Sequence, residues 1–396
     1  VTEIYLDYAA TCAVRPPEVI DAVCDYLRDV GATPGRSGHR RAVEAGRTLL
    51  HCRMALARLI GAPGDPGRIV FQLNATHALN TVLHGLLRPG DRVVRTAYDH
   101  NAIRRPVAAL VAHGVRESVI PGAPGGSVDL DAAERILAGE GEPARVLVLP
   151  HASNVLGTLL PVAELAERAH RVGARVVVDA AQSLGHLPVD VERLGADVLC
   201  FAGHKGLLGP QGTGGLWIRE GVDVAPSVAG GTGADSHDAG MPALLPDRLE
   251  AGSQNGPGIA GLLAGVRWVE ERAPDAIHAR EARLKALLRA RLDATPGVRV
   301  LSPPAPEGVP IVLALVAGMQ ASETASRLDR DFGVLVRAGV HCAPETHALL
   351  STGGSGAVRF SLGWATTEEQ VNRAADAVEA VAGGAGTHTA RWRIAG

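Results

Sequence analysis

Gly173-Ala174-Arg175-Val176-Val177-Val178-Asp179-Ala180-Ala181-Gln182 is the stretch on which the fold turns. A β-branched run with no polar alternation reads as a parallel strand covered on both faces, and it hands Asp179 to its carboxyl end. Similar runs flank it on both sides. Ile69-Val70-Phe71, Arg92-Val93-Val94, Val115 to Ile120 and Val146-Leu147-Val148-Leu149 precede it, and Val198-Leu199-Cys200-Phe201 and Gly215-Leu216-Trp217-Ile218 follow, with amphipathic helical patterns between them. This alternation from about residue 69 to 219 predicts an α/β fold built on a mostly parallel, seven-stranded sheet with helices on both faces. Ligands of such sheets bind outside the carboxyl ends of the strands, where Asp179 is placed.

Outward from the sheet, Pro16-Pro17 opens one helix and a second helical pattern runs from about Gly38 to Ile60. Residues 222 to 258, with Gly230-Gly231-Thr232-Gly233 and several prolines, lose all periodicity and predict an irregular segment reaching another subunit. A long helix from about Gly258 to Leu292 then leads to strands near Pro310 to Val316, Gly333 to Val336 and Val358 to Leu362, separated by helices at Ser322 to Phe332 and Thr367 to Val381. The expected organisation is a large domain over 15–258, a smaller α+β domain formed by 1–14 with 259–384, and a loosely held tail over 385–396.

Composition narrows the function classes. The 396 residues carry a formal net charge of -3 and no basic stripe interleaved with aromatics, which argues against nucleic acid as a partner. No apolar run approaches the ~18 residues of a membrane span, and the acidic and polar start does not read as a signal peptide, so a cytoplasmic, membrane-free protein is expected. Five cysteines form neither a CxxC pair nor a regular spacing, so no disulfide framework and no metal site is predicted.

A chemical pattern emerges from Asp179 together with Ala202-Gly203-His204-Lys205 downstream. A carboxylate fixed at a strand end and a lysine on a later loop is the layout of a pyridoxal 5'-phosphate site. The carboxylate keeps the cofactor ring nitrogen protonated, and the lysine holds the cofactor covalently and then moves the substrate Cα proton. Asn74-Ala75-Thr76-His77 follows the first strand and opens a helix, so backbone N–H groups at 76 and 77 and the Thr76 hydroxyl suit a phosphate; an ordinary helix cap is the plainer alternative.

Motifs in matching order run almost end to end. They are Tyr5-Leu6-Asp7-Tyr8-Ala9-Ala10-Thr11, Pro34-Gly35-Arg36-Ser37-Gly38-His39, Asp99-His100-Asn101, His151-Ala152-Ser153-Asn154-Val155-Leu156-Gly157-Thr158, Glu250-Ala251-Gly252-Ser253-Gln254-Asn255 and Arg337-Ala338-Gly339-Val340-His341-Cys342-Ala343-Pro344. The chain resembles the cysteine desulfurase and selenocysteine lyase group of the class V, fold-type I pyridoxal-phosphate enzymes. The resemblance implies that His100 stacks on the cofactor ring and relays a proton, and that Gln182 donates to the phenolic oxygen. It further implies that Asn154 serves that oxygen and the substrate carboxylate, and that His204 and Thr76 hold phosphate. Ser253 matches a phosphate contact supplied by a neighbouring subunit, which predicts a homodimer. Arg359, with Arg337 second to it, is expected to grip the α-carboxylate of L-cysteine. Cys342 is expected to take the sulfur as a persulfide with release of L-alanine, and a sulfur-acceptor protein is then needed.

Three rivals remain open on these residues. A C–S β-lyase, giving pyruvate, ammonia and sulfide or a thiol, needs no enzyme cysteine; a selenocysteine lyase uses the same site; a sulfur carrier or scaffold keeps the fold without the catalysis. Ala202, Asp99, Ser253 and Cys12 depart from the residues common in the group, none at a position that performs bond chemistry.

Overall fold

In a computed structural model, residues 3–35, 37–62, 64–233, 237–304 and 308–384 are described; Arg36 of the Pro-Gly-Arg-Ser loop and the tail over 385–396 lie outside them. Elements follow in the order β1 (Ile4–Tyr5), α1 (Pro17–Asp25), α2 (Arg40–Leu59), β2 (Ile69–Gln72), α3 (Ala75–Leu86), β3 (Arg92–Thr96), α4 (Asn101–Val111), β4 (Arg116–Ile120), α5 (Leu130–Ala138), β5 (Val146–Pro150), α6 (Val162–Arg171), β6 (Arg175–Asp179), β7 (Val198–Ala202) and β8 (Gly214–Ile218). The second half holds α7 (Gly256–Arg272), α8 (Pro274–Ala294), β9 (Val298–Val300), β10 (Ile311–Val316), α9 (Ala321–Phe332), β11 (Val334–Leu335), β12 (Arg337–Gly339), α10 (Pro344–Leu349), β13 (Ala357–Ser361) and α11 (Glu368–Gly383).

The large sheet has the order β2-β8-β7-β6-β5-β3-β4, and β8 alone runs against its neighbours. Its covering on both faces is visible residue by residue. Val176, Val178, Leu147, Leu149, Leu199 and Phe201 enter one core, while Val177, Val146, Val148, Val198 and Cys200 enter the other. Buried strands of this kind lose the polar alternation of a half-exposed sheet, which is why the valine run was diagnostic. Because six strands are parallel, the segments after β2, β3, β5, β6 and β7 gather at one edge.

The second sheet has the order β12-β13-β10-β9, and its core joins Val312, Phe360 and Val371 to Ile4 and Leu6 from the chain start. Two expectations are corrected here. The helix predicted over 258–292 is two helices, broken at Ala273, which has φ +58, because Pro274 takes the first position of α8 and has no N–H to continue α7. The strand predicted over 333–336 is split: β11 pairs with β1, and the chain then crosses to pair β12 with β13. The described residues of 222–255 are irregular as predicted, apart from one 3-10 turn at Asp247–Leu249, and α7 begins at Gly256.

Candidate active site

The gathered strand ends enclose a cavity of about 300 Å³ lined by Thr76, His100, Asn154, Asp179, Gln182, His204, Lys205, Arg337 and Arg359 among others. Each comes from a different turn of the same edge or from the second sheet: Thr76 from the start of α3, His100 ahead of α4, Asn154 after β5, Asp179 and Gln182 at the end of β6, Lys205 after β7, and Arg337 and Arg359 from β12 and β13. These nine dispersed sequence candidates therefore meet in one place.

Asp179 is buried, with Oδ1 accepting the Ala181 N–H at 2.9 Å. Burial raises its pKa, against the pull of that N–H and of Lys205. Lys205 is pushed the other way, down to about 8, chiefly by burial and then by Arg359 and Arg337, with Asp179 opposing. Its amine is thus closer to the neutral, nucleophilic form than a surface lysine. His100 caps α4, its Nδ1 accepting the Ala102 N–H at 3.0 Å. That acceptor role puts the proton of the neutral ring on Nε2, and burial followed by the Lys205 and Arg337 cations holds the pKa down to about 4. His204 pairs through Nδ1 with Thr11 Oγ1 at 3.0 Å and is likewise pushed down to about 4 by burial and Lys205.

Arg359 is 1% exposed. Its guanidinium donates to Asp7 Oδ1 at 2.8 Å and to the Asn154 carbonyl at 3.0 Å, and its buried Nε has no partner. Asp7 is a residue that the sequence reading quoted within a motif but gave no role. Arg359 therefore makes an ion pair within the protein, and that pair leaves Nε of the same guanidinium unspent.

Cys342 is half-buried beside Arg337, with Nη2 3.7 Å from Sγ, but it is not among the residues lining the cavity. It sits on the turn between β12 and α10. Its carbonyl accepts the Asn101 N–H at 2.7 Å and the His341 carbonyl accepts Asn154 Nδ2 at 2.7 Å. α10 is tied to the segment before His100 by the Arg95 ion pair with Glu345 and by Thr346 donating to the Ala97 carbonyl, and to α4 by the Arg104 ion pair with Glu345. None of these ties was read from the sequence. His341 and His347 hydrogen-bond each other, and among the described residues no group of three or more His, Cys, Asp or Glu side chains is placed to hold a metal ion.

Two further placements amend the sequence reading. The His77 N–H donates to Asn74 Oδ1 at 2.9 Å, so of the two backbone donors expected to meet a phosphate the one at 77 is spent on the helix cap. The His77 ring, with Ser253, lines a separate cavity of about 250 Å³ on the other side of the α3 start. Glu250, next to Ser253 in the same motif, is buried against Arg53 at 2.6 Å and accepts the Phe71 N–H, an architectural role. Gln182 gives one amide hydrogen to the Ala9 carbonyl at 3.0 Å and keeps the other.

The family profile described as "Aminotransferase class-V" matches residues 4–374. The chain belongs to the class-V aminotransferase family. It is 34% identical over 389 residues, 96% of this chain and 95% of the other, to a protein of Methanothermobacter thermautotrophicus named probable cysteine desulfurase. It is 31% identical over 391 residues to a Haloferax volcanii protein named cysteine desulfurase, covering 95% of this chain and 89% of the other. Among solved structures, the apo cysteine desulfurase of Thermococcus onnurineus superposes with a TM-score of 0.87 at 32% identity over 96% and 95% of the two chains. The Escherichia coli cysteine desulfurase CsdA superposes at 0.84 with 28% identity over 96% and 94%.

Class-V aminotransferases carry pyridoxal 5'-phosphate, and the cavity's donor set fits it. A buried carboxylate with a raised pKa lacks the cation that a pyridinium nitrogen supplies, Lys205 is poised for an aldehyde, and Thr76 with His204 lines the same wall for a phosphate.

Proposed function

We propose that this class-V aminotransferase is a pyridoxal-phosphate cysteine desulfurase that converts L-cysteine to L-alanine and leaves the sulfur on Cys342. The observation that carries the reading is the convergence on one cavity of Asp179, Lys205 and the carboxylate-seeking Arg359, with a free thiol on the adjoining turn. When bound, the cofactor supplies an aldehyde for the substrate amine and an electron sink for the bonds at Cα.

The protein's side chains supply the rest. Asp179 holds the proton on the ring nitrogen, and Gln182 and Asn154 donate at the phenolic oxygen. Thr76 and His204 hold the phosphate, with Ser253 reaching it from a second copy in a homodimer. Arg359, already oriented by Asp7, presents its guanidinium to the substrate carboxylate, and Arg337 stands second to it. Lys205, freed by the substrate amine, moves the Cα proton, and His100 passes a proton from Nε2 to the departing product. Cys342 forms the S–S bond as the substrate's Cβ–S bond breaks, so that L-cysteine and a thiol become alanine and a persulfide. An acceptor protein then takes that sulfur.

All five cysteines are free, which suits the reducing cytoplasm expected for such chemistry, and no helix of the described residues is long and apolar enough to cross a membrane. The same reading divides the chain into 15–258 and 1–14 with 259–384.

The position of Cys342 off the cavity wall favours one rival, a C–S β-lyase that needs no thiol. Incubating the holoenzyme with L-cysteine and a reductant, beside Cys342→Ala, separates the two. Alanine from the parent and none from the variant is expected. Pyruvate and ammonia from both proteins make the chain a β-lyase.

A further inference from the structure

His341 and Cys342 are successive non-glycine residues with φ of +50 and +58. Left-handed backbone at side-chain-bearing residues is unfavourable and persists only where the surroundings enforce it. The main chain is held by Asn154 at the His341 carbonyl and by Asn101 at the Cys342 carbonyl. The His341 ring is held by something the proposed chemistry leaves unused.

That ring is 3% exposed and His347 beside it 1%. His341 Nε2 lies 3.2 Å from the Arg337 carbonyl, which can only accept, so Nε2 bears the proton. The Nδ1 lone pair of the neutral ring then faces His347 Nε2 at 3.1 Å, which must donate. The Thr352 hydroxyl has His347 Nδ1 at 2.7 Å and the His347 carbonyl at 3.1 Å within reach, and its one hydrogen serves the nearer Nδ1. The four groups form a one-way chain, Thr352 to His347 to His341 to Arg337, with every ring nitrogen satisfied. Burial leads in holding His341 down to about 3 and His347 down to about 4, so both rings stay neutral through the physiological range.

We propose that His347 is a positioning residue for sulfur transfer: by donating to His341 it locks the left-handed turn that holds the Cys342 thiol beside Arg337, whose side chain lines the cavity. The inference rests on the reading of Cys342 as the sulfur-accepting thiol. His347 touches neither substrate nor cofactor, and its effect is confined to the step that uses the thiol.

The test compares holoenzymes of the parent, His347→Ala, His347→Gln and Thr352→Val with L-cysteine, with Cys342→Ala as the reference. Glutamine keeps an N–H near the position of Nε2 and alanine does not. For His347→Ala, kcat for alanine falls by about 10- to 100-fold, the size expected when a reacting group is misplaced by about 1 Å. Its KM, its cofactor absorbance and the spectral response on mixing with L-cysteine stay as in the parent, because those precede thiol attack. Single-turnover mass spectrometry finds the Cys342 persulfide reduced in step with kcat. His347→Gln regains most of the loss, and Thr352→Val shows a smaller one.

Parent-like kcat in His347→Ala overturns the proposal, as does a glutamine variant no better than alanine, or loss of cofactor absorbance in both. If His347→Ala does not fold, Thr352→Val decides, and parent-like turnover there overturns it. Alanine formation by Cys342→Ala removes the reading of Cys342 as the sulfur acceptor and this inference together. A silent Cys342→Ala beside a fully active His347→Ala removes the inference alone.

Discussion

Lys205 carries its working state in its surroundings, and the cost of that state is measurable without any substrate. Its pKa in the folded protein is about 8 against an ordinary 10.5, chiefly through burial. Below pH 8 folded and unfolded chains both hold the proton and the burial penalty is present in full. Between pH 8 and 10.5 the unfolded chain binds the extra proton, so folding gains stability as pH rises through that window. Lys205→Met should therefore make the cofactor-free protein more stable at pH 7, by on the order of 2 kcal/mol after allowance for the open cavity, with a margin that closes toward pH 10.5. Lys285, also pushed down to about 8 by burial, is common to both proteins and cancels. Denaturant titrations at pH 7, 9 and 10 check this, and a margin independent of pH means that Lys205 is not desolvated. Asp179 and Lys205 were legible in the sequence because each sits in a short motif at a strand end. The Arg359 partner was not, since Asp7 lies 352 residues away and only the pairing of β1 with β11 and the bridge of Asp7 to Ser361 bring it near. The role of His347 was not legible either, because it depends on the direction of a hydrogen-bond chain.

At the scale of elements, the loop bearing Lys205 is held from behind by α7. The helix comes close enough only because residue 265 has no side chain: a Cβ there would stand 2.2 Å from the Leu207 carbonyl oxygen. Backbone on one side and helix on the other leave nothing that can yield cheaply. Gly265→Ala should cost about 3 kcal/mol and weaken retention of pyridoxal 5'-phosphate, because the displaced loop carries Lys205. Gly46, inside α2 with open space where its Cβ would go, is the control, and Gly46→Ala should add about 0.5–1 kcal/mol with cofactor retention unchanged. Thermal melts and cofactor titration measure both, and equal effects from the two substitutions refute the packing argument. The long elements were readable from periodicity, since the burial that creates an apolar pattern also stabilises them. The short ones were not. α10 has six residues and is anchored by Glu345 to Arg95 and Arg104, and β11 and β12 divide five residues between two sheets, so tertiary contacts decide structure that local sequence leaves open. The α7 to α8 break had its signal in Ala273-Pro274, which the helical pattern on both sides masked.

For the molecule as a whole, the question is whether one chain completes its own site. Ser253 is exposed and lines a cavity with His77, on the far side of the α3 start from Lys205, so within one chain it is not on the wall of the site it is proposed to serve. If a second copy brings Ser253 to the phosphate, cofactor binding and dimer formation share that contact, and linkage makes the effect reciprocal. Saturating pyridoxal 5'-phosphate must then tighten the dimer by the square of the factor by which dimerisation tightens the cofactor at each of the two sites. A charge-assisted hydroxyl contact on phosphate is worth about 1.5–3 kcal/mol, so roughly a tenfold to hundredfold coupling is expected. Sedimentation across a dilution series, with and without cofactor, gives one side of the cycle, and cofactor titration at the two ends of that series gives the other. Ser253→Ala should lower cofactor affinity in the dimer toward the monomer value and shrink both sides of the cycle together. An affinity that holds constant while the parent dimer dissociates means that each chain builds its site alone, and Ser253 then belongs to the rim of the second cavity.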